Sequence, residues 1–310
     1  MPSQIIELTS VSSAWCNQTV TLYNRRHCVH NWAHYIAGSI RTHNKMAQLL
    51  SIFAAVLYSF SAYRQFRGMQ NGKTSQRKLV LATGSIAILM HWVGWFLPML
   101  QEQGINLSFF NGGSVISLVV AVIILVSALK KPVENLFIGL FPMAALIIAL
   151  DLIFPAHSSG IHVWEKGLVV HVLLSILAYS LLTIAAFQAM VLIAQDHQLK
   201  HKHMTGMVRV QPPLQTMDKL LFEMVWAGFI LLSLAIASGF IFLDDLFAQS
   251  LVHKTVLTIL GWAIYAGLLF GRFQFGWRGP VASKWTLSGL VFLALAYFGS
   301  KLVIEFILKR

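Results

Sequence analysis

Eight long apolar segments make up most of this sequence, and they constrain its fold more than any other feature. They cover residues 47–63, 79–99, 113–129, 135–154, 167–194, 221–243, 251–270 and 285–308. A stretch of about 18 or more apolar residues can cross roughly 30 Å of hydrocarbon as a helix. Only helices and closed barrels satisfy their backbone hydrogen bonds in lipid. The sequence therefore predicts an all-α, polytopic integral membrane bundle of about eight transmembrane helices.

Charged residues are too few for a soluble protein of this size. They make up 11% of the chain, whereas a typical soluble domain has about 25%, and the mean hydropathy is +0.69. The net charge of +12 is compatible with nucleic-acid binding, but no basic stripe with interleaved aromatic residues marks such a surface. We therefore expect the lipid bilayer, and no nucleic acid, among the partners.

Basic residues are distributed unevenly between the loops of the predicted bundle. One set of loops carries fourteen Lys and Arg residues, and the other set carries four. Because loops rich in Lys and Arg stay on the cytoplasmic side, the first set is predicted to be cytoplasmic. Eight spans then place the C-terminus outside, in a bacterial inner membrane. The first set consists of Arg64, Arg67, Lys73, Arg77, Lys78, Lys130, Lys131, Lys200, Lys202, Arg209, Lys219, Arg272, Arg278 and Lys284.

Residues 1–45 are polar, whereas residues 46–310 form the hydrophobic domain. Arg41 and Lys45 directly precede a helix whose first residue is predicted to lie outside, which contradicts the charge rule. Met46 begins the hydrophobic region directly. We therefore interpret residues 1–45 as a disordered segment or a mis-assigned start. N-terminal sequencing of the natural protein tests this interpretation, which a mature N-terminus upstream of Met46 would contradict.

Three histidines lie within the predicted spans, and all three fall in the outer half of the membrane. They are His91 in the second span, His171 about one turn inside the fifth, and His253 near the start of the seventh. Ionisable residues in a membrane usually face the bundle interior, and neutral imidazole ligates haem iron well. We predict these histidines as candidate haem ligands, with Lys254 as a cation for a haem propionate. The alternative for each histidine is an interfacial anchor or a packing residue.

No catalytic motif accompanies these residues. The sequence contains no P-loop, no HExxH, no GxSxG and no dinucleotide-binding glycine fingerprint. Haem iron is the only metal that the histidines indicate. We therefore predict no catalytic residues and do not expect an enzyme.

Six short motifs, in a fixed order within residues 46–310, carry a resemblance to a known family. Over essentially this whole length the chain resembles the YpjD/HemX-like branch of the cytochrome c assembly (CcsA/CcmC-type) membrane protein superfamily. The order and spacing of the motifs support the resemblance more than any single motif does. The motifs are HVLLSILAY (171–179), PPLQTMD (212–218), SGF (238–240), HKT (253–255), GWRG (276–279) and YFGS (297–300).

The resemblance implies a membrane protein linked to haem handling and cytochrome c assembly. Better-known members present haem with a tryptophan-rich outer loop flanked by histidines, and His171 matches the first of those histidines. Here the loop at 241–250 has no tryptophan, Phe270 replaces a membrane histidine, and no histidine follows the last helix. The resemblance therefore implies haem binding or support of cytochrome or haem assembly proteins, rather than catalysis of haem attachment alone.

Two other functions are compatible with the residues. A structural or regulatory membrane subunit without a cofactor fits the missing tryptophan motif. A transporter would need ionisable residues along a path across the whole membrane, and the inner half offers little beyond Glu223. Bound haem, a stable partner without a cofactor, or substrate flux into vesicles would distinguish these three functions.

Overall fold

This computed structural model describes residues 25–71, 77–102, 109–154, 166–201, 211–242 and 252–299. Within these residues the chain forms eight long helices and no strand. A 3₁₀ turn, Glu134–Leu136, precedes the fourth helix, and a π-helical turn, Leu295–Gly299, continues the eighth. The helices are α1 (Arg25–Gln70), α2 (Arg77–Glu102), α3 (Phe109–Lys130), α4 (Phe137–Ile153), α5 (Lys166–Lys200), α6 (Leu214–Phe242), α7 (Val252–Phe275) and α8 (Gly279–Ala294).

Each helix contributes a segment that is long and apolar enough to cross a membrane, which confirms the predicted fold class for the described part of the chain. Two helices begin earlier than the sequence predicts. Helix α6 begins at Leu214 rather than near residue 221, and α8 begins at Gly279 rather than near residue 285. Hydropathy detects only the apolar part of a helix, and the first two turns of both helices mix apolar residues with polar ones.

Helix α1 also begins well before the first apolar segment. It runs for 46 residues from Arg25, and its membrane-spanning part is Lys45–Gln70. Residues 25–44 are therefore helical here. The interpretation of residues 1–45 as a disordered segment or a mis-assigned start stays a prediction, and residues 1–24 lie outside the described part of the chain.

Helices that follow one another run in opposite directions, so the bundle has two ends. Asp218, near the start of α6, is 2.9 Å from Arg272, near the end of α7. The start of α3 likewise meets the end of α8, where Gly112 contacts Tyr297. We call one end the basic end, because most of the described Lys and Arg residues lie there. Its connections are near residues 71–77, 130–137, 200–214 and 275–279. The end near residues 102–109, 153–166 and 242–252 is called the histidine end.

Helix α3 forms the centre of the bundle. In an 18-residue stretch, 61% of its residues are buried, against 28–39% for the other seven described spans. It packs on α4 and α2 on one side and on α5 on the other. Tyr58, Phe137 and Phe141 fill the interior beside it, with ring centres of Phe137 and Phe141 4.6 Å apart. Helix α3 thus separates a half built from α1, α2 and α4 from a half built from α5–α8.

A buried ion pair closes the basic end between α6 and α7. Asp218 Oδ2 lies 2.9 Å from Arg272 Nη2, and the two side chains are 11% and 29% exposed. The second Asp218 oxygen accepts a hydrogen bond from the Gly279 N–H at 2.9 Å, and Arg272 donates to the carbonyl of Trp277 at 2.9 Å. The PPLQTMD and GWRG motifs therefore meet in one hydrogen-bonded network.

Two glycines of that network adopt a backbone conformation that other residues rarely take. Gly276 has φ +65° and Gly279 has φ +55°, in the left-handed region where glycine has no steric penalty. The turn between them allows α8 to begin directly after α7 and lets Trp277 fold back over Gly271. The spacing of glycines in the GWRG motif therefore follows from the geometry of this turn.

Candidate functional site

His171 lies at the histidine end, on the second turn of α5, and contacts α6. Its Nδ1 is 2.8 Å from the carbonyl oxygen of Ala235 and 3.2 Å from Ser238 Oγ. A carbonyl oxygen can only accept a hydrogen bond, so Nδ1 carries the hydrogen. In the neutral ring Nε2 then holds the lone pair, and it makes no hydrogen bond within the described residues. Metal-ligating histidines are usually held in this way, by donating their other N–H to a carbonyl or a carboxylate.

Ser238, in the SGF motif, reinforces the position of this ring. Its hydroxyl donates to the carbonyl of Ala235 at 2.8 Å, and both residues are buried. The HVLLSILAY and SGF motifs therefore meet at one carbonyl group. A histidine whose orientation is fixed by two neighbours on another helix loses little rotational entropy when it binds a ligand.

Lys254, on the first turn of α7, brings a positive charge to His171. Its ammonium interacts electrostatically with the His171 ring and lies 5.8 Å from the centre of the Tyr297 ring. The side chain is partly buried, and it forms no ion pair with any residue that the structure describes. Because an unpaired charge within a membrane span is costly, this position favours an anionic ligand group.

Tyr297 forms one wall of the site and comes from the π-helical turn that ends α8. Its ring centre is 6.0 Å from that of Tyr179 on α5. The hydroxyl packs so closely against Gly112 on α3 that a Cβ at that position would overlap it. Single π turns within helices are frequent at functional sites, and this one places a tyrosine of the YFGS motif between three other helices.

His253, the other predicted ligand on α7, is placed differently from Lys254. Its side chain is exposed, and it makes no hydrogen bond or ion pair in the part of the chain that the structure describes. Neighbouring residues on a helix point about 100° apart, which separates His253 from the contacts that Lys254 makes. Its role as a haem ligand stays a prediction.

His91, the third predicted ligand, lies in the half of the bundle built from α1, α2 and α4. It is 1% exposed. Its Nε2 is 3.0 Å from Ser114 Oγ on α3, and its Nδ1 is 3.5 Å from the Tyr58 hydroxyl on α1. Both ring nitrogens thus already have protein partners, whereas His171 has one nitrogen available. The structure brings His171 and Lys254 together and places His91 in a separate environment.

A cavity at the histidine end, which we call the Asp151 cavity, lies beside His91. It has a volume of about 200 Å³ and is lined by residues of α1, α2, α3 and α4. The polar residues other than His91 are Gln48, Ser51, Trp95, Asn111, Ser114 and Asp151. The volume is below the roughly 300–1,000 Å³ of pockets for drug-sized ligands, so a haem does not fit inside it.

Comparison with known proteins identifies the family of this chain. The family model described as "Cytochrome C assembly protein" matches residues 79–308. The chain belongs to the cytochrome c assembly protein family. The match includes most of α2 and all of α3–α8, and therefore His171, Lys254, His91 and Asp151. No solved structure matches the chain.

Individual curated proteins are similar to this chain over different lengths. Inner membrane protein YpjD of Escherichia coli K12 is 30% identical over 261 residues, which are 84% of this chain and 99% of that protein. An uncharacterized 28.8 kDa protein of Azospirillum brasilense is 29% identical over 140 residues, 44% of this chain and 52% of that protein. Cytochrome c biogenesis protein CcsA of Prochlorococcus marinus is 28% identical over 91 residues, 29% of each chain. These matches confirm the YpjD-like branch of the family.

Sequence reasoning found His171 and Lys254 but not the residues that position them. Ser238 and Tyr297 lie in the SGF and YFGS motifs, although neither residue type points to a role by itself. Trp95 and Asn111 form a hydrogen bond of 3.0 Å in the cavity that Asp151 also lines, and the sequence pointed to no such contact. Their partners come from other helices, and no spacing within one segment reveals such contacts.

Proposed function

We propose that this protein binds haem at the histidine end, in the inner membrane of a bacterium, and supports cytochrome c or haem assembly. One observation carries the proposal. His171 Nδ1 is bonded to the Ala235 carbonyl, so the neutral ring presents Nε2 as a lone-pair donor. Membership of the cytochrome c assembly family and similarity to an inner membrane protein support the process and the location.

The residues beside His171 fit a haem by their chemistry. Haem, when bound, supplies an iron centre that takes imidazole nitrogen and two propionates that are anionic at neutral pH. His171 Nε2 would bind the iron, and the Lys254 ammonium would pair with a propionate through a charge-assisted hydrogen bond. Ala235 and Ser238 would hold the ring, and the exposed His253 is the predicted second ligand.

The proposed orientation follows from the charge distribution. Lys and Arg residues concentrate at the basic end, and such loops face the cytoplasm. The histidine end, with His171, Lys254 and the Asp151 cavity, would then face outward. The better-known members that this chain resembles present haem with an outer loop, so a haem held by His171 would be available to outward-facing assembly proteins.

Visible absorption spectroscopy tests the haem proposal directly. The full chain is purified in mild detergent, haem is added, and oxidised and reduced spectra are recorded for the parent and for His171→Ala. We expect a Soret band with a histidine-ligated spectrum in the parent, and its loss or shift in the variant. His197→Ala removes a histidine from the basic end of the same helix and should leave the spectrum unchanged.

Two further variants separate iron ligation from a structural role. In His171→Gly, added imidazole should restore the band, because a free ligand can replace a ligating side chain. Lys254→Gln should weaken haem affinity by roughly tenfold to a hundredfold, the effect of losing a hydrogen bond to a charged group. Absence of haem from the parent, even after addition, would reject the proposal and favour the cofactor-free assembly subunit.

A further inference from the structure

The Asp151 cavity is separate from the proposed haem site. It lies among α1, α2, α3 and α4, on the other side of α3 from the α5–α7 contacts of His171. It also has the opposite electrical character. Lys254 provides a positive charge beside His171, whereas Asp151 is the acidic residue of this cavity, and no Lys or Arg is among the described residues that line it.

Asp151 has no ion-pair partner among the residues that the structure describes. It lies near the end of a membrane-spanning helix, in the segment Glu134–Ile153. An ionisable side chain within a span is costly unless it faces a polar cavity or pairs with a ligand or another residue. The carboxylate therefore makes an anionic ligand unfavourable here and a cationic one favourable.

The remaining polar groups of the cavity include several oxygen acceptors. Ser51 contributes a hydroxyl, and Gln48 and Asn111 contribute amide oxygens. Pro98, inside α2, has no N–H, so the carbonyl of Gly94 four residues earlier receives no helical hydrogen bond from it. Both Pro98 and Gly94 line the cavity. A ligand with several N–H donors suits this set of acceptors.

Trp95 adds an aromatic surface whose orientation is fixed. Its indole Nε1 donates to Asn111 Oδ1 at 3.0 Å, and both residues line the cavity. Cations bind favourably over the face of an indole ring. His91 has no ring nitrogen left for a ligand, since both nitrogens have protein partners.

A metal ion fits this cavity less well than an organic cation. No group of three or more His, Cys, Asp and Glu residues able to hold a metal is found in the described ranges. A volume of about 200 Å³ is larger than a single ion needs. One carboxylate, several neutral acceptors and an indole ring instead match a small primary ammonium group.

We propose that the Asp151 cavity binds a primary ammonium group, with Asp151 as its counter-ion and Trp95 as its aromatic wall. The group can belong to a free amine or to the headgroup of a phosphatidylethanolamine lipid. Both sources present the same –NH₃⁺ chemistry at a membrane surface. This proposal is independent of haem binding, because it uses none of the residues assigned to that site.

Thermal unfolding of the full chain in detergent, with methylammonium chloride as the probe, tests the proposal. A ligand that binds only the folded state raises its stability in proportion to ln(1 + [L]/Kd), so the parent Tm should rise with the logarithm of methylammonium concentration. Tetramethylammonium chloride at equal ionic strength has no N–H donor and should not reproduce the rise. Equal effects of the two salts, or no effect of either, would overturn the proposal without any variant.

Asp151→Asn should require roughly tenfold to a hundredfold more methylammonium for the same rise in Tm, because a charge-assisted hydrogen bond is lost. Asp196→Asn makes the same chemical change at the basic end of α5 and should behave as the parent. Trp95→Leu keeps the carboxylate and should weaken binding roughly two- to thirtyfold, which preserves the test if Asp151→Asn does not fold. Unchanged methylammonium sensitivity in both cavity variants would contradict the assignment.

Nanodiscs distinguish the two sources of the ammonium group. If the site takes a lipid headgroup, the protein should be more stable in phosphatidylethanolamine than in phosphatidylcholine, and methylammonium should add stability only in phosphatidylcholine. If the site takes a free amine, methylammonium should act equally in both lipids. A Tm that depends on neither lipid nor methylammonium would indicate a cavity that holds only water.

Discussion

The two ends of the bundle differ in whether their charged side chains form ion pairs. At the basic end, each of the four described acidic side chains has a basic partner: Glu134 with Arg77, Asp196 with Lys200, Asp218 with Arg272 and Glu223 with Lys131. At the histidine end, neither Asp151 nor Lys254 has an ion-pair partner among the described residues. Three of these pairs join different segments of the chain, and the Asp196–Lys200 pair lies within α5, whereas Asp151 and Lys254 have no such partner in the described part of the chain to neutralise them.

Asp151 and Lys254 are kept apart by α3. Asp151 belongs to the half with α1, α2 and α4, and Lys254 belongs to the half with α5–α8. If they were adjacent they would neutralise each other, as the pairs at the basic end do. Their separation would allow one helical bundle to hold the proposed haem site and the proposed ammonium site at the same end.

Asp218→Ala should give the largest loss of stability and so sharpen the contrast between the ends. Removing one partner of a largely buried pair leaves the Arg272 charge and the Gly279 N–H unsatisfied, at a cost of about 3 kcal/mol. Thermal unfolding in detergent measures the loss. Haem and methylammonium titrations on the variant, below its lower Tm, should give the parent affinities, because both sites lie at the other end.

The matched control for Asp218→Ala is Glu223→Ala, which removes a carboxylate from the same helix. Glu223 and its partner Lys131 are 40% and 46% exposed, so solvent can replace the lost contact. A loss as large for Glu223→Ala as for Asp218→Ala would contradict the view that burial makes the Asp218 pair decisive.

Gly112→Ala should have an intermediate effect, and it tests whether packing shapes the histidine end. An added Cβ would overlap the Tyr297 hydroxyl, so the ring beneath Lys254 must move, at an expected cost of about 2 kcal/mol. We expect weaker haem binding in the visible titration in addition to a lower Tm. The methylammonium response should persist, since Tyr297 does not line the Asp151 cavity.

Gly113→Ala provides the control at the neighbouring position. There an added Cβ would lie 3.4 Å from Ile147 and 3.5 Å from Phe298, which is ordinary packing distance. Its Tm and haem affinity should stay close to those of the parent. Equal effects of the two substitutions would show that the central helix tolerates no added methyl group and that Tyr297 has no particular role.

The sequence was sufficient to predict the eight helices, because apolar length alone determines whether a segment can cross a membrane. It was less informative about where helices begin. Gln188 and Gln195 of α5 donate from their amides to the carbonyls of Met217 and Pro212 at 3.1 Å each, and these bonds tie the start of α6 to α5. Such contacts between helices leave no trace in the hydropathy of either segment.

The site was predictable only where a residue type is itself unusual in a membrane. His91, His171 and Lys254 were visible for that reason, and burial of His91 agrees with the expectation that such residues face the interior. The sequence could not show that His171 has a ring nitrogen available whereas His91 has none. That difference depends on the hydrogen-bond partners of each ring, which come from other helices. The same limit applies to Asp151, whose cavity is assembled from four helices.

Loss of the Lys131–Glu223 ion pair should lower the stability less than Asp218→Ala or Gly112→Ala. It tests how little an exposed pair contributes to the basic end. Both side chains are more than a third exposed, and exposed pairs contribute about 0.2–1 kcal/mol and weaken with salt. Lys131→Ala should therefore lower the Tm slightly at low ionic strength and leave it unchanged at high ionic strength. If the loss instead persisted at high salt, the pair would be desolvated in the membrane interface. The basic end would then owe its stability to a network of ion pairs rather than chiefly to Asp218 and Arg272.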